Sequence, residues 1–182
     1  CLTIFQGGFS HEAAESVVGA GRGVLSSLVS KSLLRRSSNG RFDLHEVIRQ
    51  YLQVFLEADE GRHQIFDGHC EFFLTLLRDR DPLLKSAGQQ AVIRELAAEM
   101  DNIRLAWSWA IEHQKFALLG GVLRSFGWVC DIAGWLDEGI EQVDLLIAAL
   151  RSGVADPHLE RILGLALAQH GLLSFRKGYF AQ

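Results

Sequence analysis

The hydrophobic positions change from a strand pattern to a helix pattern within residues 41–55. Phe42 and Leu44 alternate with polar residues, as in a half-buried strand, whereas from His45 onward the apolar residues recur at steps of three and four. Upstream, residues 33–36 form a second short strand-like segment, and the following Asn-Gly pair tolerates the positive φ angles of a tight turn. We therefore predict a β-hairpin that runs directly into a helix over residues 45–58.

Two shorter helices are predicted before the hairpin. Ser10 is a suitable N-cap for the first, because its hydroxyl can accept a hydrogen bond from the first turn. The glycines from Gly19 to Gly23 are expected to break that helix, and the second is predicted over residues 24–30. Two short helices, a β-hairpin and a third helix, in this order, indicate a winged helix-turn-helix domain over residues 1–60.

The chain after residue 60 is predicted to be helical. One helix is predicted over residues 62–78, and Asp81-Pro82 prevents its continuation, since proline lacks the amide that a further turn would need. A long helix follows over residues 89–113, with Glu99 on its polar face. We predict that residues 61–114 form a helical connector.

Glycines mark an internal repeat in the last part of the chain. Two pairs, each with members seven residues apart, are offset by 44 residues: Gly127 with Gly134, and Gly171 with Gly178. A glycine at a close helix crossing and another at the next turn are typical of a tetratricopeptide-type unit. Gly139 stands where such a unit needs a small residue. We predict a tetratricopeptide-like helical array over residues 115–182, cut at its second unit, and a mainly α fold class overall.

Composition narrows the functional classes. The 182 residues are 48% hydrophobic, enough for a packed core, and the net charge of −4 argues against general binding to polyanions. The three cysteines are odd in number and widely spaced, and His63 and His69 lack the spacing that places two ligands on one helical face. Neither a disulfide framework nor a metal site is predicted, and a reducing cytoplasm fits best.

Several expectations concern what the chain lacks. We expect no membrane-spanning segment, because no apolar run approaches the roughly 18 to 20 residues required. The sequence contains neither a Gly-x-Ser-x-Gly elbow nor a Gly-x4-Gly-Lys-Ser/Thr loop, so we predict no enzyme activity and no nucleotide site of its own. The chain begins without Met and stops within a helical pattern, so we expect a piece of a longer protein. The four tryptophans are expected mainly in packing between helices, and any exposed one is a candidate effector contact.

The first third resembles the winged-helix module of signal-transducing NTPases of the STAND class. The resemblance is to bacterial predicted ATPases and transcriptional activators in which an NB-ARC-like nucleotide-binding core precedes helical repeats. Four runs carry it: Phe5-Gln6-Gly7-Gly8-Phe9-Ser10, Glu12-Ala13-Ala14, residues 25–34 and residues 42–51. Residues 99–106 also resemble the connector that precedes the repeats in these proteins.

The resemblance implies a role for His45. In such proteins the winged helix closes over the nucleotide, and a Met-His-Asp-like motif places its histidine near the ADP β-phosphate. Leu44-His45-Glu46 stands where that motif would be. The implied cofactor of the parent protein is ADP or ATP, and the implied partners are an upstream nucleotide-binding domain of the same chain and a protein or small-molecule effector on the helical repeats. The alternative is a histidine that caps the helix or fills a corner. Arg49, in the helix that follows, is expected to be a surface or interdomain ion-pair partner.

A basic concentration surrounds the hairpin. It consists of Lys31, Arg35, Arg36 and Arg41. These side chains could contact DNA phosphates or face an acidic partner domain. The exposed positions of the helix before them are mostly serines, which are poor readers of base edges. We therefore rank a regulatory module of a signal-transducing NTPase first, a DNA-binding transcriptional regulator with a helical interaction domain second, and a protein-interaction scaffold third.

Overall fold

The computed structural model describes residues 2–57, 60–152 and 156–178, and over these the chain is mostly helical with one two-stranded antiparallel sheet. The predicted mainly α class with a short hairpin is confirmed at that level. The elements are α1 (His11–Val18), α2 (Arg22–Ser30), β1 (Leu34–Arg36), β2 (Phe42–Leu44), α3 (Glu46–Glu57), α4 (Arg62–Asp79), α5 (Gln89–Ala98), α6 (Met100–Glu112), α7 (Phe116–Ala133), α8 (Leu136–Arg151) and α9 (Pro157–Lys177). Short 3-10 helices cover Leu2–Ile4 and Asp81–Lys85.

The chain forms two compact units. The N-terminal unit comprises Cys1–Phe73 with Glu99–Ala106, and the helical unit comprises Leu74–Ala98 with Trp107–Gln182. Helices α4 and α6 therefore each contribute residues to both units. The domain boundaries at residues 60 and 114 stay a prediction.

Local signals define the first two helices. The Ser10 side chain accepts a hydrogen bond from the amide of Ala13 at 3.1 Å, and Gly19 ends α1 in the left-handed conformation with φ of 66°. Both features are as predicted. Helix α2, however, begins at Arg22, so Gly23 lies inside a helix and the prediction that it breaks one was wrong. Glycine costs only about 1 kcal/mol in a helix interior, an amount that tertiary packing readily offsets.

The hairpin has the predicted alternation. Leu34 pairs with Leu44 and Arg36 with Phe42, and β2 buries Phe42 and Leu44 while Asp43 is exposed. Gly40 has φ of 82°, as the Asn-Gly turn predicts. Phe9 and Phe42 also form an isolated antiparallel bridge through two backbone hydrogen bonds of 2.8 Å. The hairpin is thus joined to the segment that leads into α1.

The long helix predicted over residues 89–113 is divided into α5 and α6, and Glu99 lies at the break. Glu99 was placed on the polar face, but it is buried, so this prediction was wrong. Its carboxylate accepts hydrogen bonds from the Arg41 guanidinium and from the Asn102 amide at 3.0 Å. A buried carboxylate is tolerated here because it is paired with a charge and with a donor.

In the helical unit, α9 packs against both α7 and α8. Gly134 and Gly178 end α7 and α9 in the left-handed conformation, with φ of 77° and 87°. The second glycine of each predicted pair therefore has the same role in both copies. The first glycines differ, because a Cβ on Gly127 would overlap the side-chain amide of Gln169, whereas one on Gly171 would meet nothing within 4 Å. Whether these helices form a tetratricopeptide unit stays a prediction.

Helix α7 corrects the expectation about apolar runs. Within the described ranges it is the one helix whose 18 residues and mean hydropathy of 1.4 would be sufficient to cross a membrane by length and composition alone. Half of that segment is buried inside the protein, and a core helix of a soluble protein passes the same test. The helix gives only weak support for a membrane span.

Candidate docking site on the N-terminal unit

Helix α3 has more apolar surface than the N-terminal unit covers. Arg49 and Leu56 lie on its buried side. The outer side carries Val47, Tyr51 and Phe55, which remain 67%, 69% and 57% exposed. These three residues are four apart, so they lie above one another on one helical face. A helix with apolar residues on both its buried and its exposed side has a face available to a partner.

A groove of about 620 Å³ runs beside this face. It is formed by the end of α2, the hairpin, α3 and the first residues of the chain. The nine lining residues are all hydrophobic or aromatic: Leu2, Leu28, Leu33, Leu34, Leu44, Val47, Ile48, Tyr51 and Leu52. Large exposed apolar patches on soluble proteins mark interaction sites. We call the groove together with the outer face of α3 the docking surface, as a candidate site for a partner.

Exposed cations lie close in sequence to residues that line the groove. Lys31 follows α2 between two groove residues and is exposed. Arg36 is also exposed, and it shares a sheet face with the groove residue Leu34, two positions earlier. Its guanidinium lies 5.8 Å from the centre of the Phe42 ring. Arg35 is exposed on the opposite sheet face, where it is in register with Asp43.

Arg41, the fourth predicted contact residue, has an internal role. Its guanidinium forms a two-armed ion pair with Glu99, and the two side chains are 18% and 6% exposed. Bidentate arginine–carboxylate pairs combine charge with fixed geometry. The structure therefore places Lys31, Arg35 and Arg36 on the surface and Arg41 inside the N-terminal unit.

His45 lies immediately before α3. Its carbonyl accepts hydrogen bonds from the amides of Ile48 and Arg49 at 2.8 and 2.9 Å, and its side chain is exposed. An exposed imidazole beside a helix N-terminus is compatible with one contact to a phosphate. A single such contact does not hold a nucleotide, so ADP or ATP would have to be bound mainly by another domain.

Arg49 was interpreted as a surface or interdomain residue, and this was wrong. It is 7% exposed, and its guanidinium donates to the carbonyl of Phe5. The same group forms ion pairs with Asp43 at 3.2 Å and Glu46 at 3.5 Å. Arg49 therefore fixes the start of α3 to the hairpin and to the N-terminal segment.

Sequence reasoning missed a buried polar cluster in the same unit. The Asn102 side-chain oxygen accepts from the amide of Gln6 at 2.7 Å, and its nitrogen donates to the carbonyl of Gly8 at 2.9 Å and to Glu99. His69 Nε2 lies 3.4 Å from the same Asn102 oxygen. Burial lowers the pKa of His69 from 6.5 to about 4, while its hydrogen bond to Asn102 acts in the opposite direction. The one sequence signal was the position of His69 on an apolar helical face.

The tryptophans of the helical unit contribute to packing, as expected. Trp107 and Trp109 are buried. The Trp107 ring stacks on Phe126 with centroids 4.4 Å apart, and its indole nitrogen donates to the carbonyl of Gln142. Trp128 is half-buried and lies 4.8 Å from the Lys85 ammonium group. Trp135 is also half-buried, so Trp128 and Trp135 are the more accessible candidates for an effector contact.

Across residues 2–57, 60–152 and 156–178, no three His, Cys, Asp or Glu side chains are grouped so that they could hold a metal ion. No protein-family model, curated protein or solved structure matches the chain.

Proposed function

We propose that this chain is a non-catalytic regulatory part of a multidomain signal-transducing NTPase. In this role the N-terminal unit, as a winged helix, docks against an upstream nucleotide-binding domain and acts as a latch for its ADP-bound state. The helical unit, as a tetratricopeptide-like array, receives a protein or small-molecule effector. The observation that carries the proposal is the uncovered apolar face of α3, which begins immediately after the exposed His45.

The docking surface is large enough to support such a latch. Complete burial of a large apolar side chain contributes about 1.5–3 kcal/mol. Three such residues on the outer face of α3 therefore provide a gross gain of several kcal/mol, from which the cost of ordering must be subtracted. A latch that opens on a signal has to be held by an interaction of moderate strength, since the ligand shifts the equilibrium only by its different affinities for the two states.

The test is nucleotide retention by the complete gene product. Protein purified without added nucleotide is denatured, and the released ADP and ATP are quantified by anion-exchange chromatography. We expect ADP to copurify with the wild type, and His45→Ala to retain less. His158→Ala is a matched control, because His158 is also an exposed histidine at the start of a helix. Absence of bound nucleotide from the wild type, or equal retention by both variants, would refute the latch.

A DNA-binding regulator is the second candidate, and the exposed Lys31, Arg35 and Arg36 favour it. The engagement of Arg41 by Glu99 counts against it, as do the exposed serines of α2. The observable is affinity for duplex DNA at two salt concentrations. Phosphate contacts from three cations predict a slope of log affinity against log salt concentration of about −3. A triple Lys31→Ala, Arg35→Ala, Arg36→Ala variant should abolish this salt-dependent binding. A plain interaction scaffold, the third candidate, predicts neither nucleotide retention nor DNA binding.

A further inference from the structure

We propose that the groove beside α3 receives an amphipathic helix from a protein partner. The helix would place three hydrophobic residues at positions i, i+4 and i+7 or i+8 against the groove and the outer face of α3. It would carry at least one carboxylate on the flank that faces Lys31 and Arg36. The inference rests on the docking role proposed above and specifies the chemistry of the partner.

The lining of the groove favours a helix over a small polar ligand. Sites for small molecules combine apolar walls with a few polar groups that fix the orientation of the ligand. All nine residues that line this groove are hydrophobic or aromatic. Helix-in-groove recognition needs only such a surface, with specificity from the spacing of the hydrophobic anchors.

The length of the apolar face also fits a helix. Val47 and Phe55 are eight residue steps apart on α3, or about 12 Å along the helix axis. A partner helix of two to three turns covers this distance. Its side chains at a spacing of one turn can interleave with those of Val47, Tyr51 and Phe55.

The charged residues near the groove indicate which side chains the flank of the partner helix should carry. The chain as a whole carries a net charge of −4, yet the exposed Lys31 and Arg36 each stand two positions from a groove residue, Leu33 and Leu34 respectively. Glu46, at the start of α3, is already paired with Arg49 at 3.5 Å and with Gln50 at 3.1 Å. The α2–β1 segment therefore brings positive charge close in the chain to the residues that line the groove. A partner helix with acidic residues on that side gains complementarity and a defined orientation.

The experiment is a selection on the 182-residue chain with a displayed library of helical peptides of about 15 residues, the length at which isolated helices become marginally stable. The library varies every surface position. Selection on the wild type, with counter-selection on Tyr51→Glu, should enrich peptides with the predicted hydrophobic spacing and with Asp or Glu on one flank. Three results would overturn the proposal. They are enriched peptides without the helical spacing, enriched peptides with basic flanks, and equal enrichment on the wild type and on Tyr51→Glu.

Variants then test each contact with a selected peptide. Tyr51→Glu, or Val47→Glu if the former does not fold, should weaken binding about tenfold or more, as expected for loss of a central anchor. Lys31→Glu with Arg36→Glu should weaken an acidic-flank peptide several-fold and strengthen its Lys-flank counterpart. Leu165→Glu is the matched control, because Leu165 is an exposed leucine on α9, and it should change nothing.

Two further outcomes identify a different occupant and would also overturn the proposal. One is a dimer, measured by light scattering, that Tyr51→Glu dissociates, since a second copy would then cover the face. The other is displacement of all selected peptides by a fatty acid, with no helix selected in its presence. The selection requires neither an upstream domain nor nucleotide. Its failure is therefore distinguishable from a failure of the His45 test.

Discussion

Replacing Gly139 with alanine should destabilise the helical unit, although alanine is the better helix former. An alanine Cβ at this position would lie 2.9 Å from the Cβ of Cys130 and 3.2 Å from the Cδ1 of Leu173. Carbon atoms pack best at about 3.5–4.0 Å. Helix α8 therefore has to move away from its neighbours, and overpacking of this kind costs about 1–3 kcal/mol.

The opposing effect of helix propensity is smaller. An Ala in place of Gly within a helix contributes about 1 kcal/mol of stability. We therefore expect Gly139→Ala to lower the free energy of unfolding by about 1 kcal/mol. Gly171→Ala is the matched variant, because Gly171 is also a helical glycine but its added Cβ meets nothing within 4 Å. It should raise the free energy of unfolding by up to about 1 kcal/mol.

The assay uses the tryptophans. All four lie at or after residue 107, within the helical unit, so their fluorescence during urea denaturation reports the unfolding of that unit. A shift of the midpoint at constant slope measures stability rather than a change in the denatured state. If Gly139→Ala and Gly171→Ala change the midpoint in the same direction, the close approach of α8 to α7 does not limit stability, and the reasoning is refuted.

Two further predictions concern the buried polar cluster of the N-terminal unit. Asn102→Ala should lower the free energy of unfolding by about 2–5 kcal/mol, because it leaves the amide of Gln6 and the carbonyl of Gly8 without their partner. Thermal unfolding followed by circular dichroism should show a much smaller loss of stability for Asn39→Ala, in the exposed turn. Equal losses for the two variants would contradict this role of Asn102. Burial lowers the pKa of His69 from 6.5 to about 4, so between these values the unfolded chain binds a proton that the folded protein does not. The free energy of unfolding should therefore fall by up to about 3 kcal/mol as the pH decreases from 6.5 to 4. His69→Phe should make the dependence of stability on pH shallower in this range. An unchanged dependence in the variant would show that His69 does not titrate as argued.

Local signals were sufficient for much of the N-terminal unit. The Asn-Gly turn, the alternation of β2 and the Ser10 cap each depend on residues within a few positions of one another. The same holds for Gly134 and Gly178, whose left-handed conformations end two helices at equivalent places. Short-range chemistry determines such features, so they can be predicted from one sequence.

The internal charges could not be predicted in this way. A pattern analysis assigns Glu99 and Arg49 to the surface because isolated charged residues are almost never fully buried. Glu99 is buried because Arg41, 58 residues earlier, reaches it, and Arg49 is buried because the carbonyl of Phe5 accepts its hydrogen bond. The stabilising partner is distant in sequence in both cases, and no local pattern identifies it.

The sequence could show that α3 is apolar on a wide arc, but it could not show which side the protein covers. The structure makes that distinction: Leu56 is buried and Tyr51 is exposed, although both are apolar residues of the same helix. An apolar residue at the correct spacing is therefore a core residue or an interface residue depending on tertiary contacts alone. This is why the docking surface emerged only from the structure.

The internal ion pairs also bear on how the docking surface works. Arg49 joins the start of α3 to Asp43 of the hairpin, and Arg41 joins the hairpin to Glu99. These contacts lie within the N-terminal unit and restrain the start of α3 and the hairpin, which both contribute to the docking surface. A preorganised surface loses less conformational entropy on binding than one that must first be ordered. The arginines near the hairpin thus differ in role: Arg41 and Arg49 form internal ion pairs, whereas Arg36 is exposed and, in the proposed complex, faces the acidic flank of the partner helix.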